Sequence, residues 1–286
     1  MVAIAHIHNR HFAVTRGAWR VGAGLALAAA LSGAALAGST IPPNQSPHDL
    51  VNALHAAFGQ HHVRAVHSKG IMFEGTFTPS PEAKILTLAP IFAGDTLPIT
   101  VRFSDFAGIP DIPDTSGAAP PCGLAIKIRA KDGMDYDLAS DQHNGFIVAT
   151  SDEFAAFLRA VGASGPDVAH PNPVEQFLGS HPIAMAFVKS LTTPASYAQA
   201  TYFGINSFKW TNAKGKSVFV RYRYVPRAGE HYLTPDELKA EGPNYLQKEI
   251  VQRLAQGPIV FDWYAQIAET GDKIEDPSIA WPESRK

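Results

Sequence analysis

Three histidines, His61, His62 and His67, stand close together near the start of the chain and are the first residues with obvious chemistry in them. Imidazole titrates near neutrality, so a histidine can move protons in a reaction or bind a metal. As metal ligands these three are poorly spaced. On an extended strand His61 and His67 share a face while His62 points away, and no carboxylate completes a recognised zinc or iron set. A lone strand histidine is more often a satisfied core or surface residue, and spacing alone leaves the ligand open. Cys122 is the single cysteine, so no intrachain disulfide forms. It has no histidine close by in sequence to make it a thiolate nucleophile, and it reads as a small buried apolar side chain.

Charge narrows the partners. With 24 Lys and Arg against 26 Asp and Glu, the formal charge is -2 and no basic stripe is present. A polyanion finds no electrostatic foothold, so the expected partner is a small molecule and not nucleic acid. Arg10, Arg16 and Arg20 precede an uncharged Ala- and Leu-rich run that closes on Ala35-Leu36-Ala37. That order is expected of a signal peptide over residues 1–37, cleaved after Ala37 for export to the periplasm. The run is too short and weakly apolar for stable membrane insertion. Residues 38–286 then form one domain, with no linker dividing it.

Several elements must position any site. Leu50, Val51, Leu54, Ala57 and Phe58 recur at helical spacing over Asp49–Phe58. A strand is expected over Val66–Phe77, and another over Leu97–Phe106, where Ile99, Val101 and Phe103 alternate with polar residues. Leu124–Ile128 and Met134–Ala139 flank Asp132-Gly133 as a hairpin. Thr150 with Glu153 predicts a capped helix, and a second helix over Pro173–Leu191 should break at Pro182. Tyr202–Trp210 and Val218–Tyr224 form the clearest hairpin. Asn244 with Gln247 caps a helix ended by Gly257-Pro258, and a last strand starts at Ile259. Paired strands with helices set apart predict an antiparallel α+β fold, a β-barrel with flanking helices.

Four segments, in order, carry a resemblance: Arg64-Ala65-Val66-His67-Ser68-Lys69-Gly70; Val101-Arg102-Phe103-Ser104 leading to Cys122-Gly123-Leu124-Ala125; Asp141-Gln142-His143-Asn144-Gly145-Phe146; and Tyr202-Phe203-Gly204-Ile205-Asn206-Ser207. Together they resemble the catalase superfamily and, in detail, its small catalase-related peroxidases. The resemblance spans roughly residues 57–282. It implies a catalase-like barrel, a haem b cofactor, and reduction of hydrogen peroxide at the expense of a small organic reductant, with weak catalase activity beside it. It is compatible with a homo-oligomer.

The resemblance also implies roles. His67 is the expected distal acid–base residue, and Ser104 fixes its ring from the other nitrogen. Asn144 is expected to hold the peroxide, and Phe157, thirteen residues on, to pack against the haem with Val66. Arg64 and Arg102 are expected at the propionates, since a guanidinium fork suits a carboxylate. Strict strand alternation would put Arg64 and His67 on opposite faces unless Arg64 precedes the strand. The family's iron ligand is a tyrosine four residues after an arginine near the C-terminus. No such pair occurs here, so no metal ligand is assigned, and the axial tyrosine is expected beyond Lys286 together with the last strand and C-terminal helices. A barrel short of one strand should have an unpaired edge. The competing readings are a non-catalytic haem or apolar-ligand barrel and an inactive fragment.

Overall fold

Burial alternates along Leu97–Ser104, where Leu97, Ile99, Val101 and Phe103 point into a core while Thr100 and Arg102 stay half-exposed. That period of two, repeated strand after strand, builds the molecule. The computed structural model describes residues 3–8 and 46–285. Eight antiparallel strands form a closed barrel in the order β1 (Ala3–His8), β2 (Gly70–Pro79), β3 (Leu97–Ser104), β4 (Gly123–Arg129), β5 (Asp135–Asp141), β6 (Tyr202–Thr211), β7 (Ser217–Pro226) and β8 (Ile259–Ile267). Phe73, Phe77, Phe103, Tyr202, Tyr224, Phe261 and Trp263 dominate the interior.

Helices α1 (Pro47–Phe58) and α2 (Ala83–Leu86) belong to the first half of the chain. They are followed by α3 (Ser151–Gly162), α4 (Pro173–Ser180), α5 (Pro182–Ser190), α6 (Pro235–Ala240) and α7 (Tyr245–Gln256). The α+β class, the two hairpins and the break before Pro182 match the expectation. Thr150 accepts from the Glu153 N–H and Glu153 answers to the Thr150 N–H, so α3 starts on the capping box read from sequence. α1 and α3 pack together through Ala53, Ala155 and Leu158, and α7 lays Leu246, Ile250 and Leu254 on the barrel.

Two expectations are corrected. The strand read from Val66 starts at Gly70, because the backbone of His67 is left-handed (φ 53°) and Ser68 Oγ turns back to the Arg64 carbonyl at 2.5 Å. Asn244 makes no side-chain cap on α7; the Leu246 N–H is taken instead by Asp114 Oδ2 at 2.8 Å. The unpaired edge expected of residues 38–286 is covered in the full chain by Ala3–His8, which pairs with β2 on one side and β8 on the other. These six residues fall in the stretch expected to leave on export. The rest of that stretch, with Arg10, Arg16, Arg20 and the cleavage position Ala37, lies outside the described residues.

Candidate active site

One row of residues crosses the outer face of the barrel from strand to strand. Gly70 pairs with Ser104, Ser104 with Gly123, Gly123 with Asp141, and Asp141 with Phe203. Paired residues share a face, so Ser104, Gly123 and Asp141 look the same way. The His67 ring lies over the glycine. Its Nδ1 is 3.1 Å from Ser104 Oγ, and its Nε2 is 3.6 Å from Asp141 Oδ1. A Cβ on residue 123 would stand 2.9 Å from His67 Cε1 and 3.0 Å from Ser104 Oγ, so only glycine leaves room for the ring.

The loop that carries His67 is held as firmly as a strand. The His67 N–H donates to the Phe106 carbonyl at 2.7 Å, and Arg102 donates to the His67 carbonyl at 2.7 Å and the Ser68 carbonyl at 3.2 Å. Phe106 meets the imidazole edge to face at 5.5 Å. A left-handed backbone at a non-glycine residue persists only when its surroundings over-determine it, and such outliers gather at functional sites.

Below the loop, Lys69 anchors the next residue. Its buried ammonium contacts the Asp114 carboxylate and donates to the carbonyls of Ile112 (2.6 Å) and Pro243 (2.9 Å). Asp105 lies behind the same ammonium and accepts from Tyr197 Oη at 2.7 Å.

A cavity of about 500 Å³ opens above the row. Gly123, Ala125 and Ala139 keep its floor low, and Ala125 and Ala139 are direct cross-strand partners. Leu124, Val148, Phe146 and Phe154 give apolar walls, while Arg64 and Arg102 supply cationic groups. Beside the cavity β5 and β6 pair only at Asp141 and Phe203, and β6 is bulged between Gly204 and Phe208, where Ile205 and Asn206 line it. Arg64 and His67 reach the same cavity because both precede β2, which resolves the tension in strand alternation.

Burial, reinforced by the Arg102 and then the Arg64 guanidinium, pulls the His67 pKa down to about 4, against the weaker opposing effect of a hydrogen bond the ring donates to the Asp105 backbone carbonyl. The ring is therefore neutral at neutral pH. Burial pushes the Asp141 carboxyl up to about 7. With the imidazole neutral and the carboxyl near its midpoint, the 3.6 Å contact is not an ion pair. It is a meeting of two proton-exchanging groups.

Of the residues read from sequence, the structure brings together His67, Ser104, Arg64 and Arg102. Asn144 is elsewhere: its amide donates to the Trp281 carbonyl at 2.9 Å, and it does not line the cavity. Asp141 stands at the imidazole in its place. Val66 is half-buried and lines neither this cavity nor its neighbour, and Phe157 belongs to the neighbouring one. The thirteen-residue interval used to pair Asn144 with Phe157 also separates Asp141 from Phe154, and both of these line the cavity. Period-two alternation from Ala139 to Asp141 was the available signal. Cys122 is buried, and burial raises its thiol pKa well above the ordinary value, in keeping with an inert side chain.

A family model described as Catalase matches residues 50–277. The chain is 34% identical over 241 residues to a catalase-related peroxidase of Mycolicibacterium paratuberculosis, covering 82% of this chain and 75% of that protein. It is 32% identical over 247 residues to a catalase-related peroxidase of Synechococcus elongatus, covering 84% and 72%. Among solved structures, a fungal catalase superposes with a TM-score of 0.68 at 23% identity, and a bacterial catalase with 0.68 at 24%. The superpositions cover 78% and 87% of this chain but only 47% and 51% of those chains, so this chain spans about half the length of the solved catalases. Haem is the cofactor this family implies. The cavity fits its distal side: an apolar slot, a floor cleared by Gly123, two guanidiniums for the propionates and one neutral imidazole. No tyrosine lines that cavity among the described residues. By its matched residues and its fold, the chain belongs to the catalase family, among the catalase-related peroxidases.

Proposed function

We propose that this protein is a haem b peroxidase that reduces hydrogen peroxide with electrons from a small organic donor, and that it acts after export, in the periplasm. The observation that carries the reading is the His67 imidazole, held over Gly123 between Ser104 and Asp141. When bound, haem supplies the redox-active iron at which the peroxide O–O bond is cleaved. His67 Nε2, unprotonated at neutral pH, accepts a proton from one peroxide oxygen and returns it to the other, so that water leaves. Ser104 at Nδ1 fixes which nitrogen is free. Arg64 and Arg102 bind the propionates, and the apolar walls exclude bulk water.

Loading the full chain with haem should give a Soret band and donor-dependent peroxide consumption. A chain that binds no haem, or consumes no peroxide when loaded, would refute the reading. A second reading, a haem or apolar-ligand carrier, draws on the lack of a tyrosine lining the cavity among the described residues. Haem bound in stoichiometric amount without peroxide turnover would favour it.

A further inference from the structure

After β8 the chain runs from residue 268 to 285 without helix or strand. The middle of this strap, residues 273–281, is held chiefly by one side chain. Arg221 of β7, itself buried, donates to the carbonyls of Ile279 at 2.7 Å, Lys273 at 2.9 Å and Asp276 at 2.9 Å. Its guanidinium also lies 4.6 Å from the centre of the Trp281 ring, a cation–π contact. On the cavity side the ties are fewer: the Asn144 amide donates to the Trp281 carbonyl at 2.9 Å, and the Phe146 N–H to the Pro277 carbonyl at 2.8 Å. Pro277 and Phe146 both belong to the wall of the main cavity. Strands paired in the barrel supply much of the remaining wall and open only with the fold, whereas a segment held by a few side-chain bonds opens locally. Release of the strap therefore frees Pro277 and removes the partner of Phe146 in one movement.

We infer that residues 273–281 form a strap latched by Arg221, and that its opening admits haem to the cavity. The entrance role rests on the haem reading of that cavity; the latch rests on the hydrogen bonds alone. A rigid, planar macrocycle cannot thread between paired strands, so a wall must move for it to enter or leave. Because the same opening serves both directions, a looser latch raises association and dissociation together and changes affinity much less.

The test compares the full chain with Arg221→Met in two measurements. The first is hydrogen exchange of the haem-free proteins at the amides of Phe146, Ser278 and Ile279, which are hydrogen-bonded to or within the strap. These should exchange at least about tenfold faster in the variant, the change given by loss of one hydrogen bond to a charged group, and the amides of β3 and β4 by a smaller factor. The second is stopped-flow absorbance of haem uptake and of haem transfer to an acceptor, where association and dissociation should both quicken by a similar factor. If Arg221→Met does not fold, Asn144→Ala, which removes the tie to Trp281, is read in the same way. Equal acceleration of strap and barrel amides, as in general destabilisation, would overturn the latch. Faster dissociation with unchanged association would overturn the entrance, because it describes a weakened site and not a moving wall. A chain that takes up no haem would contradict the haem reading of the cavity and the entrance with it, and the exchange result would still decide the latch.

Discussion

His67 Nε2 lies 3.6 Å from Asp141 Oδ1, on the opposite side of the imidazole from Ser104. The barrel's register produces this arrangement, because Ser104, Gly123 and Asp141 are cross-strand partners and the ring rests on the row they form. The His67 imidazole is thereby positioned by three strands and one loop.

Adding a methyl group at the centre of that row should displace the ring. Gly123→Ala places a Cβ within 3.0 Å of both His67 and Ser104. A misplacement on the order of 1 Å costs about 10²-fold in rate. Peroxide consumption should therefore fall by about that factor while the Soret band persists; steady-state assays beside absorption spectra check this.

The two proton-exchanging groups should leave opposite marks on stability. The Asp141 pKa rises in the fold to about 7 from its ordinary value of 3.8, so between these values the folded state holds a proton that the unfolded state has released, and stability falls as pH rises through the window. The His67 pKa drops to about 4 from 6.5, so its contribution is lost as pH falls from 6.5 toward 4. The slopes offset in the wild type. Asp141→Asn removes only the first, so the variant should gain stability over wild type progressively from pH 4 to 7 and hold the gain above. Asp105, also pushed up by burial, is common to both proteins and cancels. Urea unfolding below, within and above the window gives the comparison, and a gap independent of pH would contradict the account.

Lys69 should matter for stability more than for chemistry. Breaking a buried ion pair by removing one partner costs about 3–5 kcal/mol, since the other charge is left unpaired. Lys69→Met strands Asp114, which also holds the first turn of α7. A drop of that size in the unfolding free energy from urea melts is the expected result.

Removal of the N-terminal stretch should open the barrel. A chain starting at Gly38 loses β1 and exposes the facing edges of β2 and β8. Unpaired strand edges invite self-association. Sedimentation should show concentration-dependent association of the shortened chain and less of it in the full chain. Equal behaviour would mean that β1 contributes little to closure.

Where local chemistry decides, the sequence was readable. Thr150 and Glu153 cap α3 as the four-residue pattern requires, and Pro182 ends one helix and begins the next because its ring lacks an N–H. Long-range partners were not readable. The first turn of α7 is held by Asp114, more than a hundred residues away, and not by Asn244 beside it. Asp141, and not the expected Asn144, lies beside the His67 ring because that position is set by the pairing of β4 with β5, which sequence spacing locates only to within a few residues. β2 began later than its apolar pattern suggested because loop hydrogen bonds to His67 override strand propensity.

The central claim is that the imidazole of His67 moves protons for a peroxide held at haem in this cavity. Its most direct test compares peroxide turnover of haem-loaded wild type and His67→Ala at matched haem content. The account predicts equal Soret absorbance and a loss of turnover of about 10²–10⁴-fold, the usual contribution of a positioned acid–base group. Unchanged turnover in the variant would contradict it.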